Sequence, residues 1–156
     1  MSEYRPDEGS FDIDGIRVAI IAARWNSHIT DSLLDGAVRA FERHGVAKTD
    51  MDVFRVPGAF ELPLACQQAA RKGVYDAVVA LGCVIRGGTP HFEYVCAETT
   101  RGIGEVALRE NLPVAFGLLT TDNLEQAEER SSDNSENKGE EAALTALEMI
   151  SLFRQL

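Results

Sequence analysis

No CxxC pair, no long apolar run and no excess of basic charge occur in this chain, and each absence removes a class of function. The three cysteines, Cys66, Cys83 and Cys96, are odd in number and lie among apolar neighbours. They read as buried, reduced thiols. No stretch approaches the ~20 apolar residues of a membrane span. Only 15 Lys and Arg stand against 25 Asp and Glu, a net charge of −10. That balance argues against nucleic acid and anionic membrane surfaces as partners. The opening MSEYRPDEGSFDIDG is acidic and polar, unlike a secretory signal, so a cytoplasmic protein is expected. Repeats and low-complexity tracts are also lacking. What is present, 156 residues with 45% apolar and 26% charged, suits one domain over 1–156 that buries its core without staples.

Along the chain, strand and helix signals alternate. Residues 1–15 read as a polar arm carrying Phe11 and Ile13, and its apolar–polar alternation predicts addition to a neighbouring subunit's sheet edge. Buried strands are expected at 17–23, 52–56, 78–85 and 114–120. Helices are expected at 30–43, 61–71, 90–110, 122–130 and 138–156. Pro63 is tolerable only in a first turn, and Asp122 with Glu125 has capping-box spacing. Four strands each followed by a helix imply an α/β fold: a three-layer α/β/α sandwich on a four-stranded parallel sheet. The expected order is 2-1-3-4, flavodoxin-like, with ligands beyond the carboxyl ends of the strands near the switch between strands 1 and 3.

Residues 80–95, ALGCVIRGGTPHFEYV, are where chemistry is expected. The apolar run is that of a strand buried on both faces. Arg86-Gly87-Gly88 stops it, Thr89 can cap the next helix, and Pro90 suits a first helical position. A glycine turn leading into a helix start gathers free N–H groups and a positive dipole end, which bind anions. His91 lies in that first turn. The dipole there disfavours imidazolium, so a neutral histidine able to accept a proton is expected.

Other unusual residues also follow strand ends. Trp25 either packs in its loop or offers a flat surface for a planar ring. Pro57-Gly58 is a turn or a close approach for a ligand, and Glu61 beyond it can accept hydrogen bonds. The stretch 122–141 holds eight carboxylates but only Arg130 and Lys138 as cations. It reads as a solvated face, with each cation either an ion-pair partner or a ligand contact.

These stretches together resemble the lumazine synthase family. The chain carries IIAARWNSHIT, VPGAFELP, ALGCVIRGGTPHFEYV, PVAFGLLTTDNLEQAEER and NKGEEAALTALEM in order, and the likeness runs from about Ile16 to the C-terminus. The resemblance implies condensation of 5-amino-6-(D-ribitylamino)uracil with 3,4-dihydroxy-2-butanone 4-phosphate to 6,7-dimethyl-8-ribityllumazine, the penultimate step of riboflavin biosynthesis. It implies a transferase without metal, nicotinamide or flavin. By position, Trp25 stacks on the pyrimidine with Asn26 beside it. Ala59, Phe60 and Glu61 line the ribityl and pyrimidine side. Cys83, Val84 and Ile85 give edge contacts, Gly88 and Thr89 form the phosphate turn, and His91 transfers protons. Phe116 and Arg130 match positions lent by a neighbouring subunit, Arg130 meeting the phosphate, and Lys138 matches a motif lysine.

The same resemblance implies a homo-oligomer built of pentamers, with an icosahedral shell and riboflavin synthase as further candidate partners. The link 131–136 has no insertion, which favours a shell, yet it lacks the glycine and lysine of shell-forming relatives. Trp25 replaces a phenylalanine of many relatives, and the larger indole suits riboflavin-like products. Two rivals on the same fold are a flavin-binding carrier and a purely shell-forming structural protein. The first would want a hydroxyl-rich loop after strand 1, where the chain has Arg24-Trp25-Asn26-Ser27. The second leaves the His91, Glu61 and Arg130 motifs without a purpose.

Overall fold

A computed structural model describes residues 8–156. Its strands are β1 (Val18–Ala23), β2 (Met51–Val56), β3 (Ala77–Ile85) and β4 (Val114–Thr121). Its helices are α1 (Ser27–Arg43), α2 (Leu62–Arg71), α3 (His91–Glu110), α4 (Leu124–Ser131) and α5 (Lys138–Phe153). All strand pairs are parallel, in the expected order β2-β1-β3-β4. Side-chain alternation divides the central strands between two cores. Ile20, Val79 and Leu81 meet Leu33, Phe41 and Leu147 of α1 and α5 on one face. Ile21, Val78 and Ala80 meet Leu62 and Cys66 of α2 and Ile103 of α3 on the other. β1 is therefore buried along its whole length, as its uninterrupted apolar sequence requires.

Two features hold α5 tightly on α1. A Cβ on Gly139 would fall 1.9 Å from the Leu33 carbonyl oxygen, so only glycine permits this approach. Asn137, just before α5, is buried with every polar atom engaged. Its Oδ1 accepts the Glu140 N–H, and its Nδ2 donates to the carbonyls of Ser131 (2.7 Å), Ser132 (3.1 Å) and Ser32 (3.3 Å).

Several element boundaries differ from the sequence expectation. α1 begins at Ser27 rather than residue 30, because Asn26 takes a left-handed conformation (φ 59°) and turns the chain straight into helix. Asp122 and Glu125 do not form the cap of α4. Asn123 Oδ1 accepts the Gln126 N–H, while Gln126 Oε1 accepts the Asp122 N–H, which leaves the Asp122 carboxylate for Arg86. α5 ends at Phe153, short of the chain end. Thr89 is a weak cap, its Oγ1 lying 3.4 Å from the His91 nitrogen. Cys66 and Cys83 are buried, but Cys96 is only half-buried. Residues 8–15 form no strand. Phe11 and Ile13 pack against the α1–α5 core, and Asp12 receives Arg154, just past α5, at 2.8 Å. Residues 1–7 of the expected arm lie outside the described residues.

Candidate active site

Beyond the carboxyl ends of β1, β2 and β3 lies a cavity of about 970 Å³. Backbone bonds past the strand ends tie together the loops that carry Trp25 and Gly58: the Arg24 N–H donates to Val56 O and the Trp25 N–H to Pro57 O. The Trp25 ring lies on Gly58, where a Cβ would fall 2.3 Å from the indole. Glycine here makes room for the indole. The ring stays 66% exposed, with a face open for stacking.

The Glu61 carboxylate reaches back over a short 3₁₀ turn, Ala59–Glu61, and accepts the Gly58 N–H through Oε2 at 3.0 Å. One oxygen thus fixes the turn, and the other is left for a ligand's N–H or hydroxyl. Asn26 donates through Nδ2 to the Cys83 carbonyl at 2.9 Å, tying the start of α1 to β3. The Cys83 thiol lines the cavity, and burial, with a smaller contribution from Cys96, pushes its pKa up to about 12. It is a neutral wall group and no nucleophile at pH 7.

The cavity gathers Trp25, Asn26, Ala59, Phe60, Glu61, Cys83, Val84, Ile85 and His91 from four separate segments. Gly88 and Thr89 lie in the exposed turn that leads into His91, outside the cavity wall. Phe116, Arg130 and Lys138 do not reach it within this chain. Phe116 is a 46% exposed side chain on edge strand β4. Arg130 turns back on α4, donating to the Gln126 carbonyl at 3.0 Å and standing 3.4 Å from Glu129. Lys138 contacts both Glu141 carboxylate oxygens, at 2.8 and 2.9 Å.

A 6,7-dimethyl-8-ribityllumazine synthase from Desulfovibrio desulfuricans (strain ATCC 27774 / DSM 6949 / MB) is 50% identical over 156 residues, the whole of both chains. The family profile described as 6,7-dimethyl-8-ribityllumazine synthase matches residues 15–154. The chain belongs to the 6,7-dimethyl-8-ribityllumazine synthase family.

Membership in the lumazine synthase family spans both the residues that line the cavity and those that stand away from it. Sequence reasoning missed one wall. Glu93, Tyr94, Val95, Ala97 and Glu98 of α3 also line the cavity. Helical spacing from His91 was the available signal, since 94, 95 and 98 follow it on one face. Tyr94, 74% exposed, adds a third aromatic side chain, after Trp25 and Phe60, along the cavity wall.

Proposed function

We propose that this cavity is where the enzyme performs its family's reaction, with the pyrimidine on Trp25, the ribityl chain and ring edge along residues 59–61 and 83–85, and the butanone phosphate at the 88–89 turn. Lumazine synthases join 5-amino-6-(D-ribitylamino)uracil and 3,4-dihydroxy-2-butanone 4-phosphate. The primary amine adds to the ketone and water leaves, giving an imine. Phosphate then departs, and the ribityl-bearing nitrogen closes the ring with loss of a second water. The meeting of Trp25, Glu61 and His91 in one cavity carries this reading. Trp25 and Glu61 orient the amine, and a large part of the acceleration comes from holding two substrates in register. His91 takes the proton from the attacking nitrogen and returns one to departing oxygen, for which an imidazole is suited near neutral pH. The start of α3 supplies N–H groups for the leaving phosphate.

His91→Ala is expected to fold normally and to lower turnover by anything from a few-fold to ~10²-fold. The low end reflects the ability of an aligned amine and ketone to condense unaided. A pH–rate profile identical to that of the parent protein would remove His91 from proton transfer.

The proposal extends to assembly. Phe116 and Arg130 serve a neighbouring subunit's cavity, in a pentameric ring that can close further into an icosahedral shell in the cytoplasm. The arm joins these copies by adding to a neighbour's sheet edge, and β2 is an edge strand with Val53 and Phe54 exposed. Deleting residues 1–14 removes the packing of Phe11 and Ile13 on their own chain and should lower the melting temperature by roughly 3 °C or more. The intersubunit part is read separately, from mass by light scattering. A truncated protein of unaltered mass would show that the arm joins no neighbour.

A further inference from the structure

The geometry points to Arg86 as a positioning residue that clamps the first turns of α3 to the end of the sheet and so sets where His91 stands, an inference that rests on the reading of His91 as the proton-transfer group. The need for a clamp is visible in the helix. Over residues 91–98 no side chain is fully buried, and Thr99 is the first that is. The link into the helix is equally loose: a Cβ on Gly87 or Gly88 would meet nothing within 4 Å, and Thr89 caps only at 3.4 Å. Within the chain this segment is held to the core mainly by the half-buried Val95 and to the turn by the long Thr89 contact, which leaves its first turns weakly fixed.

Arg86 supplies what is missing. Its N–H donates to the Thr121 carbonyl at 2.8 Å, prolonging the β3–β4 pairing by one residue. Its Nε donates to Asp122 Oδ1 at 2.8 Å, just past β4. Its Nη1 donates to the Glu93 carboxylate, and the guanidinium carbon lies 4.3 Å from the centre of the Phe92 ring. One planar group thus joins the ends of two strands to the two residues that follow His91. Hydrogen bonding to Arg86 also holds the Glu93 carboxyl below its ordinary pKa, so the pair stays charged at neutral pH. Two carboxylates and one ring thus hold the guanidinium in this pose, which supports a role in holding the helix. Lysine cannot reproduce this, because a point charge lacks the fork and the stacking plane.

Arg86→Met and Arg86→Lys in the assembled, full-length enzyme test the inference. Hydrogen exchange of residues 94–98 should rise about 10-fold or more in Arg86→Met, less in Arg86→Lys, with residues 103–110 unchanged. Turnover should fall roughly 10-fold or more in Arg86→Met, since small misplacements are costly. In a His91→Ala background the same substitution should change turnover less than about twofold, because the group it positions is gone. Unchanged exchange at 94–98 overturns the clamp. A full multiplicative loss on top of His91→Ala overturns action through His91 and makes Arg86 an independent contact. If His91→Ala itself leaves rate and pH profile intact, the reading of His91 has failed, and the exchange result alone decides whether Arg86 holds the helix.

Discussion

Gly139→Ala is expected to destabilise the protein by about 3 kcal/mol or more, lowering the melting temperature by roughly 10 °C. The added Cβ would stand 1.9 Å from the Leu33 oxygen, 2.6 Å from its carbonyl carbon and 2.8 Å from its Cα. These are backbone atoms in the middle of α1, so no side chain can swing aside. α5 must move away from α1, which opens the core where Leu33 and Leu147 pack. The shift also strains Asn137, two residues earlier, whose buried amide donates to three carbonyls. Each buried polar group left unpaired costs about 1–3 kcal/mol. Total stabilities are only about 5–15 kcal/mol, so the loss is a large share. Gly104→Ala is the control: it lies in α3, a Cβ there meets nothing within 4 Å, and alanine favours helix. Thermal melts of the two variants decide the matter. A Gly139→Ala melt within 2–3 °C of the parent would show that α1 and α5 separate at little cost.

Sheet order and the position of the cavity were legible because they depend on local signals. Buried apolar runs marked strands, and glycine, proline and a lone tryptophan marked the loops at their carboxyl ends. What stayed hidden depends on partners distant in sequence. Asn26 starts α1 early because its amide reaches Cys83 O, 57 residues away. The cap of α4 falls one residue later than its spacing suggests, since Asp122 is held by Arg86, 36 residues back. Gly58 looked like a turn or a ligand approach, yet the space above it holds the Trp25 ring. Lys138 shows the reverse: its pairing with Glu141 is a local i, i+3 contact that spacing alone permits.

Mixing two impaired variants should restore activity if the site is shared between subunits. Within one chain His91 lines the cavity and Arg130 does not. Arg130 lies near the end of α4, about 10 Å along the helix from Asn123 at 1.5 Å per residue. Among the described residues its guanidinium meets Gln126 and Glu129 of its own helix. In a ring, each subunit would lend Arg130 onward and receive one in return, a head-to-tail interface that closes. Arg130→Ala should lower kcat/KM for the phosphate substrate by up to ~10²-fold, the scale of one charge-assisted hydrogen bond. Arg130→Ala and His91→Ala are prepared separately, shown to be impaired, then unfolded and refolded together in equal amounts. With random assembly, half of the sites receive an intact His91, and half of those an intact neighbouring Arg130. Roughly a quarter of sites are then whole, and activity rises above both parents. If both residues served one chain's own site, no mixture could produce a whole site, and activity would equal the parents' mean.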